Sequence, residues 1–251
     1  MHLIPSLNRI KKLTECMDSF KATGVTTPGI IIVDREDMAQ NIEGYDEVQR
    51  RMPENWKIEV THARGFGDKV REVWPQVVKH EWVSLMNDEH YAITPEWDKK
   101  LVRQLNGKNF VSCNDRWNAP ARSAGCTMWS MPLLECVGWP IFPPQINHLG
   151  IDDVWEQLGR ATGTWRVDMS VIVEHRHVFR GGELDETHKL TYGEGPWQNS
   201  PAHQDVVARM QMFMAQEWAQ AVEKIRKFSE VHSYFVKINP QGAEMHKAAS
   251  K

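Results

Sequence analysis

The sequence predicts an α/β fold in which a mostly parallel central sheet is flanked by helices. Three observations carry that prediction. Apolar strand-like runs alternate with stretches of helical period over the first hundred residues, with short connections. The run Ile30-Ile31-Ile32-Val33 has no polar alternation, so both of its faces must be covered, as in a parallel sheet between helices. Two of the predicted strands also end in acidic residues, and the carboxyl ends of strands are where open α/β sheets bind ligands.

Taken in order, Met1 to Pro5 reads as a strand and Pro5-Ser6-Leu7-Asn8-Arg9 as the loop after it, before Leu13, Cys16, Met17 and Phe20 recur at helical spacing. Pro28-Gly29 introduces a second strand that stops at Asp34, and Lys57 to Val60 suits a third. Asp68 to Val78 has helical character interrupted by Pro75. Trp82 to Met86 is a strand running into the loop Asn87-Asp88-Glu89-His90, and a helix starts at Pro95 and reaches Leu105. After a strand at Asn109 to Ser112, Trp117 to Pro144 shows little periodicity and reads as an irregular layer facing a ligand. Asp152-Asp153 opens a short helix to Arg160, ended by Gly163. Val167, Met169, Val171 and Val173 alternate along a strand from Trp165 to Val178 that carries Glu174-His175-Arg176-His177 near its end. His203 to Phe228 has the spacing of one long helix against the body, and Lys247 to Lys251 is expected to fray.

Composition narrows the function classes. With 251 residues, 41% hydrophobic and 25% charged, the chain has ample core for a folded globular protein. Thirty Lys and Arg against 33 Asp and Glu leave a net charge of −3, so no global attraction draws it to nucleic acid or anionic membrane. The segment Pro132 to Ile151 is poor in charge but broken by Pro140, Pro143 and Pro144, so no membrane span is expected. With no secretory pattern at Met1-His2-Leu3-Ile4, and four cysteines (Cys16, Cys113, Cys126, Cys136) that form no C-x-x-C pair, the expectation is a reduced, cytoplasmic protein. Eleven Trp are unusual, and indole rings grip flat ligands and sugars as well as filling cores.

The chemistry gathers at a few points. Asn87-Asp88-Glu89-His90 with a later His offers an oxygen and nitrogen site suited to Mn²⁺ or Mg²⁺, though a solvated acidic loop has the same composition. Asp34 suits a ligand contact or a helix cap, and Asp152-Asp153 suits a helix cap or a general base. His175 and His177 share one face at a strand end. Arg9 precedes a helix whose amino end can bind an anion, and Arg64-Gly65-Phe66-Gly67-Asp68-Lys69 can bring glycine backbone to a nucleotide. Neither G-x-G-x-x-G nor G-x-x-x-x-G-K-[ST] occurs, which argues against dinucleotide and P-loop sites.

In this order the points resemble the GT-A glycosyltransferases, specifically the family 2-like inverting enzymes that use nucleotide-diphospho-sugars, including those of phages. The likeness rests on six segments spread over roughly residues 1 to 190: Met1 to Arg9, Ile30 to Asp34, Trp82 to Trp97, Leu133 to Trp139, Gly150 to Gly163 and Val171 to His177. It implies a Rossmann-like GT-A domain over residues 1–200, with a nucleotide-sugar half (1–98) and an acceptor half (99–200), and a helical extension over 201–251. It implies donor binding by Pro5, Ser6, Asn8, Arg9, Asp34, Lys69, Asn87 and Asp88, with a UDP-sugar preferred. It further implies Mn²⁺ or Mg²⁺ held by Asp88, by Glu89 or His90, and by His175 in preference to His177. Asp153 is implied as the base, with Asp152 second. Trp117, Trp129, Trp139 and Trp155 fall in the acceptor half, as do Arg116, Arg122, Arg176 and Arg180, which would make a local groove basic. The acceptor is left open among a glycan, a small molecule, a protein and a modified DNA base of the kind some phage enzymes glycosylate, in which case the host cytoplasm is the compartment. The Met-rich last helix could pair with a second copy. The competing readings are a catalytically silent sugar- or nucleic-acid-binding module of the same fold and a sugar nucleotidyltransferase, the latter disfavoured because Pro5 to Arg9 lacks a phosphate-binding glycine.

Overall fold

The computed structural model describes residues 1–122, 125–178, 188–189 and 200–238. Eight strands form one curled sheet in the order β3-β2-β1-β4-β7-β6-β8-β5. They are β1 (His2–Pro5), β2 (Gly29–Asp34), β3 (Trp56–Thr61), β4 (Trp82–Leu85), β5 (His90–Ala92), β6 (Phe110–Asn114), β7 (Thr127–Ser130) and β8 (Trp165–His175). Four strand pairs are parallel and three antiparallel, the antiparallel ones all in the second half of the sheet. The expected parallel sheet is therefore the first four strands, and the rest is mixed.

The continuous apolar run of β2 divides as a covered strand must. Ile30 and Ile32 join one buried cluster and Ile31 and Val33 the other. The second cluster lies under α1 (Ile10–Ala22) and α3 (Ile42–Arg51), and α1 turns Leu13, Cys16, Met17 and Phe20 inward at the predicted spacing. The first cluster lies under α4 (Phe66–Val77), α6 (Met131–Val137) and α7 (Ile151–Thr162). The short α2 (Arg35–Gln40) follows β2 directly, and α5 (Trp97–Val102) follows β5.

Several elements differ from the sequence expectation. Helix α4 runs through Pro75, three residues before its C-cap Val78, rather than being interrupted there. Helix α5 starts two residues after Pro95, since Glu96 takes a left-handed φ of 52°, and beyond Val102 the chain tightens into bonds from Gln104 to Leu101 and from Leu105 to Val102. The stretch expected to be irregular holds β7 and α6. Strand β7 is buried on both faces, so it shows no alternation, while α6 carries Pro132 in its first turn and ends on Gly138 at φ 93°. His90, expected to close the loop after β4, instead begins β5, which runs to Ala92.

The expected long carboxyl-terminal helix is two, α8 (Pro201–Gln216) and α9 (Trp218–Ile238), broken at Glu217. On one straight helix Phe213 and Val222 would point about 180° apart. The break lets both reach the core beside Ala221 and Ile225, where α9 packs on α6 and α7. Among the described residues no helix is long and apolar enough to cross a membrane.

Close packing is tightest where α7 crosses the sheet. A Cβ on Gly159 would overlap Cβ of Trp165 and the ring of Phe110. Helix propensity alone would favour Gly159→Ala by about 1 kcal/mol, but overpacking costs about 1–3 kcal/mol. Urea denaturation of Gly159→Ala is expected to show a net loss of stability, and a gain would mean that α7 can slide on β8.

Candidate active site

A cleft of about 1250 Å³ opens at the carboxyl ends of β1 and β4. The parallel register Leu3↔Leu85, extended by the Met86 amide donating to the Leu3 carbonyl at 3.0 Å, brings the residues after both strands to the same edge. There the Ser6 hydroxyl donates to Asp88 Oδ2 at 2.6 Å, and Arg9 Nη1 lies 3.0 Å from Asp88 Oδ1. Burial pushes the Asp88 carboxyl above its ordinary pKa, against the pull of Arg9 and Ser6.

The loop from Pro5 to Arg9 is fixed from behind. Lys69 Nζ donates to the Ser6 carbonyl at 2.8 Å and lies 3.3 Å from Asp34 Oδ2. Asp34 caps α2 by accepting from the Asp37 amide at 2.9 Å. Burial works to raise the Asp34 carboxyl, but the Asp37 amide and Lys69 outweigh it and hold it below its ordinary value. Burial lowers the Lys69 ammonium, with Asp34 opposing. Asn8, at φ 53°, donates its amide to Asp37 Oδ2 at 2.8 Å, the oxygen that also accepts from the Tyr45 hydroxyl at 2.6 Å.

A group of imidazoles stands beside these carboxylates. Pairing of His90 with His175, and the Arg176 amide donating to the Glu89 carbonyl at 3.0 Å, bring the turn before β5 against the end of β8. Glu89 is almost wholly buried. Its Oε1 lies 2.6 Å from Lys12 Nζ and 3.2 Å from His188 Nε2, and its Oε2 lies 3.7 Å from Arg9 Nη1 and 3.9 Å from His175 Nε2. One donor atom each from Glu89, His177 and His188 fall within 4.8 Å of one another. Trp117 stacks on His177 with ring centroids 4.9 Å apart. Its turn is set by Asp115 Oδ1, which accepts from the amides of Trp117, Asn118 and Ala119. Burial holds His90 and His177 down to about 4 and, with its imidazole neighbours, His175 well below its ordinary value, so all three are neutral at pH 7.

The acidic pair lines the same cleft from α7. Gly150, at φ 88°, turns the chain into α7 with Val206 and Met210 of α8 packed over it, so a side chain there would meet both strain and contact. Asp152 and Asp153 occupy the first turn of α7 and both line the cleft. Burial, reinforced by the charge of Asp153, pushes the Asp152 carboxyl up to about 6. Asp153 Oδ1 is ion-paired with the exposed Arg122 at 2.7 Å.

No protein-family model and no curated protein matches the chain. Among solved structures it is similar to a mannosyltransferase of Pyrobaculum calidifontis in complex with GDP-Man and Mn²⁺, at 14% identity and a TM-score of 0.53 over 99% of this chain and 84% of that one. It is similar to glucosyl-3-phosphoglycerate synthase of Mycobacterium tuberculosis in complex with Mn²⁺, UDP and phosphoglyceric acid, at 13% identity and a TM-score of 0.52 over 83% and 77%. It is also similar to S. aureus TarS 1-349 in complex with UDP, at 13% identity and a TM-score of 0.52 over 93% and 91%. The chain has the GT-A glycosyltransferase fold. At such identities the likeness establishes architecture, and roles within it rest on this chain's own geometry.

Within the GT-A fold the residues singled out by sequence take different places. Pro5, Ser6, Arg9, Lys69, Asn87, Asp88, Glu89, Asp152, Asp153 and His175 line the cleft. Asn8 and Asp34 are absent from its lining and brace the loop instead. His90 lies outside the Glu89 cluster: its ring stacks on His175 at 4.4 Å, and its Nδ1 accepts from the Asn87 amide at 3.1 Å. Trp129, Trp139 and Trp155 fill the core, leaving Trp117 as the tryptophan of that set with a ring contact to the histidines. Arg116 and Arg176 are both paired with Glu174, Arg122 is paired with Asp153, and Arg180 lies outside the described residues. Sequence reasoning missed Lys12 and His188. Lys12 lies one helical turn from Arg9 and could have been found by that spacing, whereas His188 stands in a stretch without periodicity.

Replacing Lys69 with Met keeps much of its volume but leaves Asp34 and the Ser6 carbonyl without their buried cation. Breaking a buried pair costs about 3 kcal/mol or more. Thermal and urea unfolding of Lys69→Met are expected to show a loss of that order, and a loss below about 0.5 kcal/mol, the size typical of a surface change, would show that Lys69 does not hold the loop.

Proposed function

We propose that this chain is an inverting glycosyltransferase that takes a sugar from a nucleotide-diphospho-sugar and passes it to an acceptor hydroxyl. The reading is carried by the placement of two chemistries in the lining of one cleft: the cationic and hydroxyl groups of Arg9 and Ser6 at the strand ends, and the carboxylate pair Asp152-Asp153 at the start of α7. Similar structures were solved with GDP-Man and Mn²⁺, with UDP and Mn²⁺, and with UDP and Mg²⁺. By that likeness the donor is a GDP- or UDP-linked sugar and the cofactor a divalent cation. The Glu89 cluster offers the donor atoms such an ion needs, and the ion supplies charge neutralisation for the diphosphate leaving group.

The rest of the step belongs to the protein. Arg9, steered by Asp88, presents a guanidinium to the diphosphate from the strand-end loop that Lys69 and Asp37 hold in place. The acceptor oxygen bonds to the anomeric carbon as the bond from that carbon to the diphosphate breaks. The diphosphate oxygen keeps the electron pair, and the acceptor proton passes to a carboxylate of the α7 pair. Attack opposite the leaving group inverts the centre. Of the pair, Asp152 is the better base. A carboxyl at about 6 is largely ionised at pH 7 yet holds a proton well, while Asp153 is tied to Arg122 and raises the proton affinity of its neighbour.

Two measurements test this. Isothermal titration with UDP, GDP and their sugars, with and without Mn²⁺, is expected to show one nucleoside diphosphate bound in a metal-dependent way and weakened in Arg9→Ala. A folded protein that binds none of them under any metal condition would sink the proposal, and binding without hydrolysis or transfer would identify a silent module. For the base, kcat/KM is expected to fall about tenfold per pH unit below about 6, where Asp152 protonates. Asp153→Asn removes a charge that raises Asp152, so it should move that limb to lower pH while Asp152→Asn loses about 10²–10⁴-fold in rate. The reverse pattern would make Asp153 the base.

A further inference from the structure

We infer that the ion of this site is held by Glu89, His177 and His188 and not by the Asp88 carboxylate, and that this nitrogen-rich set selects a transition metal such as Co²⁺ or Mn²⁺ over Mg²⁺. The use of the ion rests on the transferase reading, whereas the site itself rests on donor geometry alone.

Asp88 is already spent. Its Oδ2 accepts from Ser6 at 2.6 Å and its Oδ1 is paired with Arg9 at 3.0 Å, so a metal bond at either oxygen would have to break a buried contact, whereas Glu89 engages Lys12 at 2.6 Å through Oε1 and holds Oε2 at 3.7 Å from Arg9 and 3.9 Å from His175. One residue on, Glu89 faces imidazoles. Its donor atom and those of His177 and His188 lie within 4.8 Å, from which a small contraction reaches a common ion at bonds of about 2.0–2.2 Å. The three side chains are 1%, 6% and 2% exposed, and His177 is further oriented by the stacked ring of Trp117. His175, with Nε2 at 3.9 Å from Glu89 Oε2, stands beside them as a fourth donor.

Donor type then decides which ion. Arg9 and Lys12 set two positive charges directly against the negative charges of Asp88 and Glu89. Mg²⁺ is bound through oxygen ligands and gives up its water reluctantly, so a set dominated by imidazole suits it poorly. The attraction that remains is coordination by imidazole nitrogen, which first-row transition ions use well and which strengthens from Mn²⁺ to Co²⁺.

The test is titration of the full-length, chelator-treated protein with Co²⁺, Mn²⁺ and Mg²⁺ alone, by calorimetry and by the visible absorption of Co²⁺. One equivalent of Co²⁺ is expected to bind, with Mg²⁺ weaker by well over about tenfold. His177→Ala and His188→Ala should each weaken Co²⁺ by more than about tenfold, since even an outer-shell partner is worth roughly 10–100-fold. His177→Gln and His188→Gln, with melting curves alongside, separate lost ligands from lost folding. Asp88→Asn should leave Co²⁺ affinity and spectrum nearly unchanged. Mg²⁺ binding as tight as Co²⁺, binding indifferent to both histidines, or binding abolished in Asp88→Asn would each overturn the inference. Nucleotide titrations on the same samples keep the two readings apart. A Co²⁺ site in a protein that binds no nucleotide leaves the metal assignment standing, and nucleotide bound equally well with Mg²⁺ and without the histidines leaves only the transferase reading.

Discussion

Two adjacent carboxylates, Asp88 and Glu89, are buried where β4 ends, and the rest of the site follows from how their charge is balanced. An unpaired buried charge costs several kcal/mol, so the chain must bring cations and hydroxyls to meet it. Arg9 and Lys12 come from either side of the start of α1, one helical turn apart, and Ser6 comes from the loop before it. Once Arg9 is committed, the loop from Pro5 has little choice of path. Lys69 and Asp37 then fasten that path from behind, which turns a surface connection into a rigid wall.

The same pair organises the far end of the sheet. The backbone of Glu89 accepts from Arg176, and the next residue begins β5 on the edge of β8. A three-residue strand is weak alone, yet here it sets the carboxylate of Glu89 among the side chains of His175, His177 and His188. Several imidazoles in one buried region are costly to desolvate unless their nitrogens find partners.

How legible this was in the sequence depended on whether local pattern and tertiary packing agreed. The covered strand Ile30 to Val33, the stripe Leu13, Cys16, Met17 and Phe20, and the acidic ends of β2 and β4 were all readable because each shows in a few consecutive residues. The GT-A fold and the segments that form the cleft were readable from their order. Strand β7 was hidden because burial on both faces erases alternation, and the break at Glu217 because Phe213 and Val222 each fit a helical stripe until the core is known. Metal-type donors were the least legible. Alternation placed His175 and His177 together, but only the pairing with β5 decides which imidazole meets Glu89, and His188 arrives from a separate segment.

The packing of α9 against α6 and α7 has a bearing on how the molecule is made. The four strands β1 to β4, which pair only in parallel with one another, lie within the first 85 residues, so they can pair while later elements are still being synthesised. The apolar face that receives Ala221, Val222 and Ile225 stays bare until α9 has emerged, well after β8. Through that interval the sheet is complete in sequence but keeps one apolar face open, and the aggregation-prone stage of synthesis lies between the emergence of β8 and that of α9.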